Sequence, residues 1–266
     1  MRIAWVVLVG LTVAGNAAAE TDSRLLTVVN GPQRSAKFVA RDPARHPAQE
    51  LTFFGLAPTQ SVIEIWPFGG YWSEMLGPYL APEGHYAVAL ATEQTSGGEA
   101  GMNARLEARF AADPGTYGQV RAVHLDKDGI DLGPDNSADL VVTFRNLHNW
   151  MDDGSVDQAL TTFYTALKPG GILGIEDHRG RTDKPQDPSA ENGYVRQDYA
   201  IALARKAGFE LVASAEINAN PKDTKDWPKG VWTLPPSFAL GDQDRAKYAA
   251  IGEADNFVLK FRKPRH

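Results

Sequence analysis

The sequence predicts a doubly wound α/β fold with a largely parallel sheet. Three observations carry that expectation. Short apolar, strand-like runs alternate with amphipathic helical stretches from Ser61 to the C-terminus, the pattern of successive β-α units. One run, Ala138–Arg145 (ADLVVTFR), is apolar at successive positions, as a strand covered on both faces must be. The chain has 266 residues, 43% of them hydrophobic, which suffices for one domain of this kind or at most two small ones.

The first 19 residues stand apart. Arg2 precedes an apolar run, Ile3–Ala14, and Ala17-Ala18-Ala19 precede Glu20. A basic start, a short apolar core and a small-x-small site predict a cleaved signal peptide over 1–19, leaving a single domain over 20–266. The run is short for a membrane span. The expectation is therefore a periplasmic or secreted protein with no stable membrane span after cleavage. Losing Arg2 takes the formal net charge from −6 to −7, which disfavours nucleic acid as a partner, since that binding needs a basic surface. Cysteine is absent, so disulfides, thiolate metal sites and lipidation on cysteine are excluded.

The elements follow in order. The charged stretch RDPARHPAQE (41–50) leads into a helix that starts on Pro47, whose missing N–H costs nothing there. Leu51, Phe53, Phe54 and Leu56 pack it before Gly55 and Pro58 end it. Ser61–Trp66 reads as a strand, Tyr71–Leu80 as a helix, APEG (81–84) as a turn and His85–Ala91 as the second strand. Glu99–Ala112 reads as a helix, with Met102, Leu106 and Phe110 recurring on one face. Gln119–Leu125 and Ala138–Arg145 are the third and fourth strands. The helix Val156–Leu167 is closed by KPGG (168–171), and Ile172–Glu176 is the fifth strand. Tyr194–Ala207 is a helix capped by Gly208, and Phe209–Ile217 and Asn256–Arg262 are the last two strands. Two loops are long, Gly180–Gly193 and Asn218–Asp242. Loops of that length in a compact domain are commonly functional, and Trp227 and Trp232 favour order in the second.

In such sheets ligands sit beyond the carboxyl ends of the strands. VIEIWPFGGYWSEML (62–76) is a strand, a turn on Gly69-Gly70 and a helix. Glycine there lets a ligand approach the backbone closely. The spacing G-x-G-x-x-G is absent, which disfavours a dinucleotide. Further on, the fourth strand ends in FRNLHNW (144–150), and the fifth follows LKPGG (167–171) and ends in EDHRG (176–180).

This order of motifs resembles the class I S-adenosylmethionine-dependent methyltransferases and is most similar to the exported predicted methyltransferase family of bacteria. AGFELV (207–212) and NPKDTKDW (220–227) add to the resemblance, which spans roughly Arg41 to Pro264. It implies a seven-stranded, mostly parallel sheet of Rossmann-like type in the order 3-2-1-4-5-7-6, with strand seven antiparallel. It implies methyl transfer from S-adenosylmethionine to a small-molecule substrate. Glu64, Gly69 and Gly70 match the motif around the donor's methionine part, with Trp66 and Phe68 standing where glycines are usual. Glu93 matches the region of the ribose and Asp126 that of the adenine. Asn146 and His148 match the strand end beside the methyl group and the acceptor, and His178 and Arg179 face the same cleft.

The residues themselves leave alternatives. His148 and His178 are candidate bases, because histidine titrates near neutrality, or they brace strand ends; Asn146 stands with them as a catalytic candidate. Arg145 and Arg179 can hold an anionic acceptor bidentately or tie down acidic loops. Trp150, Trp227 and Trp232 can wall the acceptor or pack in satellite clusters. Two other functions compete: a methyltransferase-like binding module with a changed ligand, and a metal-dependent hydrolase built on His148, Glu176, Asp177 and His178. The hydrolase needs ligands converging from neighbouring strand ends, and a helical spacing such as H-x-x-x-H is absent, so no metal is expected.

Overall fold

The computed structural model describes residues 21–91, 100–125 and 131–265. The sequence expectations for residues 1–19, Glu93 and Asp126 lie outside the described residues. Seven strands form one sheet: β1 Ser61–Ile65, β2 His85–Ala91, β3 Arg121–Leu125, β4 Ala138–Phe144, β5 Leu167–His178, β6 Glu210–Ala215 and β7 Asn256–Arg262. Counted along the chain, their order is 3-2-1-4-5-7-6. β1 pairs in parallel with β2 and β4, β2 with β3, and β4 with β5. β7 enters between β5 and β6 and runs antiparallel to both.

The sheet has a core on each face because its strands carry apolar residues at both parities. Ile63, Ile65, Val141, Leu173, Ile175 and Phe257 point into one core, with Phe163 and Ala204 from the helices Val156–Ala166 and Gln197–Lys206. Val62, Val88, Leu140, Val142 and Val258 point into the other. That side is closed by Leu25, Leu51, Met75 and Leu106 from the helices Ser23–Val29, Pro47–Phe54, Ser73–Leu80 and Ala100–Ala112. Each fully buried Leu, Ile or Phe contributes about 1.5–3 kcal/mol. The period of two along each strand therefore fixes the register, since a slip of one residue would exchange the two cores. Gly174 has a packing reason: a Cβ there would come within 2.8 Å of the Phe54 ring.

Differences from the sequence expectation cluster at element ends. LKPGG is not a separate turn. β5 begins at Leu167 and bulges, so that Ala138 faces Leu167 while Leu140 faces Ile172. Lys168 pairs with Asp139 at 2.7 Å, and Asp139 also accepts from the Ser61 amide, which ties the bulge to the start of β1. Residues 23–45, assigned no element from the sequence, contain helices Ser23–Val29, Ala36–Val39 and Asp42–Arg45. A further helix, Leu147–Asp152, follows β4 with only Arg145 and Asn146 between. No helix among the described residues is long and apolar enough to cross a membrane.

Candidate functional site

The carboxyl ends of β1, β4 and β5 open into a cavity of about 680 Å³, lined among others by Trp66, Phe68, Arg145, His148, His178 and Trp232. A smaller one of about 180 Å³ adjoins it, and Trp66, Phe68 and Arg145 line both.

The turn after β1 has an unusual backbone. Trp66 and Phe68 both sit at φ 47°, and Gly70 at φ 83°. Every second residue of the turn is thus left-handed, and two of the three carry a large side chain. The left-handed region costs an L-residue about 1–2 kcal/mol, so packing must hold these residues there. Trp66 is buried and meets the Trp150 ring edge-on at 5.4 Å, and Trp150 in turn meets Phe163 at 5.3 Å. The Trp66 ring is therefore anchored in the core cluster of the sheet's first face. Phe68 is half-buried and lines both cavities. Gly70 has no room for a side chain, since a Cβ would lie 2.6 Å from Leu106.

Glu64 lies under this turn. Its Oε2 accepts from Ser73 Oγ at 2.8 Å and from the Tyr86 hydroxyl, and its Oε1 has no partner. Burial pushes its carboxyl from the ordinary 4.5 up to about 7, against the pull of the two hydroxyls. Between those values the native state keeps a proton that the unfolded chain has released. Stability therefore falls as pH rises from about 4.5 to about 7 and levels off above. Glu64→Gln should remove this dependence. In urea denaturation the variant should exceed wild type by roughly 3–3.5 kcal/mol at pH 8 and match it near pH 4.5, at about 1.4 kcal/mol per pKa unit. A gap of the same size at both pH values would refute the assignment.

At the end of β4, Asn146 donates to Ile65 O and to Thr143 Oγ1, each at 3.0 Å, which staples β4 to β1. Its Oδ1 is buried without a partner. His148, the second residue of the next helix, is fixed twice by Asp177 at the end of β5. Its amide donates to Asp177 Oδ2 at 3.0 Å, and its Nδ1 lies 2.8 Å from Asp177 Oδ1. Burial alone would raise the Asp177 carboxyl, but His148 and His178 bring it below the usual carboxylate range. An ionised carboxylate only accepts, so His148 Nδ1 carries the proton and Nε2 holds the free lone pair.

His178 follows the same logic. Its Nδ1 lies 2.7 Å from Asn256 Oδ1. The Asn256 amide nitrogen donates to Glu176 at 3.0 Å, which turns its oxygen toward His178. His178 Nδ1 is thus the donor and Nε2 is free. Burial holds its pKa down to about 3, outweighing Asp177, with His148 and Arg145 adding to the depression. The two imidazoles stand 5.3 Å apart, and Trp232 meets His148 edge-on at 6.0 Å.

Opposite these histidines lies a cluster of arginines. Glu253 accepts from Arg41, Arg45 and Arg145 at 2.6, 3.2 and 2.9 Å. Burial raises Glu253, but the arginines, Arg145 foremost, bring it down to about 2. Arg145 is itself left-handed, at φ 63°, and its Nε also pairs with Glu176 at 3.2 Å.

The structure thus gathers His148, His178, Arg145 and the Trp66–Gly70 turn around one cleft, with Asn146 and Glu64 buried behind it. Others lie elsewhere. Arg179 binds Glu216 and Asp255 and ties down acidic loops. Trp227 donates to Asp223 and packs on Tyr248 in a satellite cluster. Trp150 supports Trp66 from below rather than walling the cavity. Ligand atoms of His148, Asp177 and His178 do converge, within 4.8 Å of one another. Asp177, however, already accepts three N–H bonds, from His148 Nδ1–H, the His148 amide and the His178 amide, so it serves as an orienting group for the histidines. Sequence reasoning missed Arg41, Arg45, Glu253 and the orienting role of Asp177. The charged run 41–50 was the visible signal for the arginines, but nothing in it points to residue 253.

No protein-family model matches the sequence, and no curated protein matches it. Solved structures do resemble it. A SAM-dependent methyltransferase from Aquifex aeolicus superposes with a TM-score of 0.57 at 16% identity, over 84% of this chain and 92% of that one. The [4+2]-cyclase SpnF gives 0.57 at 19% identity over 91% and 92%. An S-adenosylmethionine-dependent methyltransferase from Mesorhizobium loti gives 0.50 at 16% over 83% and 98%. The chain has the Rossmann-like fold of class I S-adenosylmethionine-dependent methyltransferases. At these identities the likeness is one of fold.

Proposed function

We propose that the protein is an exported S-adenosylmethionine-dependent methyltransferase acting on a small molecule. The observation that carries this reading is the turn after β1. It holds left-handed backbone at Trp66, Phe68 and Gly70 although two of these are bulky aromatics. Strain of that kind persists where the surroundings impose it, and it clusters at functional sites.

The residues present fit the donor. The Trp66 ring packs in the core cluster, Pro67, Phe68 and Gly69 of the turn line the smaller cavity, and Asn146 has an unpaired buried oxygen at the end of β4. The turn 66–70 and Asn146 would hold the methionine part. When bound, S-adenosylmethionine supplies an electrophilic methyl on a sulfonium and departs as S-adenosylhomocysteine. The protein's own task is alignment and proton removal. His148 Nε2 takes the acceptor's proton, and Asp177 keeps the imidazole in the tautomer that can do so and stabilises the imidazolium that forms. His178 stays neutral throughout and offers Nε2 as a second acceptor for the substrate's hydrogen bonds.

A second reading keeps the cleft and changes the ligand. It is favoured by Phe68, a bulky side chain lining both cavities where a glycine is usual, and a fold neighbour is itself described as a cyclase. Calorimetry of the mature chain with S-adenosylmethionine and S-adenosylhomocysteine separates the two. We expect saturable binding of both; no heat at millimolar donor would sink methyl transfer and favour the second reading.

A further inference from the structure

The charge at the arginine end of the cleft does not balance. Arg41, Arg45 and Arg145 meet there around two carboxylates, Glu253 and Glu176. A third carboxyl, Glu50, shares the Asn218 amide with Glu176. Burial and the neighbouring Glu176 charge push Glu50 well above the carboxylate range, so it stays protonated. At this end three guanidiniums therefore face two anions, while the cleft's third anion, Asp177, is spent on His148 and His178. Burial and the other two guanidiniums outweigh Glu253 at Arg45, whose pKa is depressed to about 9. Arg145 Nη2 is buried and donates to nothing. Asp152 and Asp153 also border the cavity but are exposed at its mouth, and Asp153 accepts from the amide and hydroxyl of Ser155. They sit in water and do not neutralise the floor.

Phe68, Val231, Trp232 and Pro235 make an apolar wall of the same cavity. A ligand that answers both has one negative charge and a planar apolar body. A carboxylate suits a guanidinium, whose N–H groups its two oxygens accept, and Arg145, with Nε on Glu176 and Nη1 on Glu253, has Nη2 left to offer it.

We propose that the methyl acceptor is a small aromatic carboxylate, its carboxylate on Arg145 and its ring against Phe68 and Trp232, with the nucleophilic group facing His148. This rests on reading the cleft as the acceptor site of a methyltransferase. The arrangement uses the charge imbalance at this end, the unpaired Nη2 and the aromatic wall together.

The test measures acceptor binding with no donor present, so its outcome stands apart from the methyl-transfer reading. Calorimetry on the full mature chain uses 4-hydroxybenzoate, its neutral isostere 4-hydroxybenzamide, and phenyl phosphate. The carboxylate should bind at least about tenfold more tightly than the amide, the discrimination expected when one charge-assisted pair is lost. Arg145→Gln should reduce that ratio to about twofold or less. Arg41→Met, at a more accessible position that leaves the buried Arg145–Glu176 pair intact, should reduce it in part. Equal binding of carboxylate and amide by the wild type overturns the proposal, and so does a phosphate ester that binds tightest. Carboxylate-selective binding without donor binding would keep the aromatic-carboxylate site at Arg145 but remove methyl transfer, and with it the ligand's role as a methyl acceptor. Donor binding with no carboxylate preference would do the reverse.

Discussion

Replacing His148 with alanine should lower turnover by about 10²–10⁴-fold, the usual contribution of a positioned base, while leaving donor affinity within a factor of about two. The split follows from geometry. His148 lines the larger cavity beside His178 and Trp232, whereas the donor's expected contacts lie at the 66–70 turn and Asn146. Asp177→Asn should give a similar loss by another route. An amide can present its N–H₂ to His148 Nδ1, which would move the proton to Nε2 and leave the wrong tautomer facing the acceptor. Because Asp177 also accepts from two backbone amides, urea denaturation should accompany its kinetics. The pH–rate profile gives a further readout. His178 is held neutral, with its pKa near 3, so an acid limb above that value that vanishes in His148→Ala identifies His148 as the base. Equal losses of turnover and donor affinity would mean that His148 braces the end of β4.

The fold was legible because its signals are local. β2 and β7 begin and end where the sequence predicts, His85–Ala91 and Asn256–Arg262, since each is an uninterrupted run bounded by turn residues or a change of composition. The helix Leu147–Asp152 was not legible: it follows β4 without a glycine or proline, and its apolar residues continue the strand's composition. The two histidines could be placed at strand ends from sequence, but their tautomers could not. Those depend on Asp177 and on Asn256, and Asn256 is 78 residues beyond His178. The arginine cluster was the least legible part. Arg41 and Glu253 are separated by 212 residues, and only the tertiary fold brings them together. Arg179 shows the converse: its position beside the cleft was readable, but its direction, toward Glu216 and Asp255, was not.

Trp66→Ala should destabilise the protein by about 3–5 kcal/mol, the range for truncating a large buried aromatic. Alanine removes the ring that meets Trp150 and Phe68 but keeps a Cβ, so the left-handed cost at this position stays. Trp66→Gly removes the ring and the cost together, and should recover about 1–2 kcal/mol of the loss. Phe68 gives the contrasting case at the same φ. It is half-buried, so Phe68→Gly loses less packing and gains the same relief, and its midpoint in urea should stay close to wild type. The order of stability is then wild type and Phe68→Gly together, Trp66→Gly below them and Trp66→Ala lowest. If Trp66→Gly and Trp66→Ala are equally unstable, the turn is not strained, and the argument from its backbone to a donor cradle loses its premise. Donor affinity separates the two positions again. Phe68→Gly removes a side chain that lines both cavities and should bind S-adenosylhomocysteine at least as tightly as wild type. Weaker binding would make the Phe68 ring a contact for the ligand.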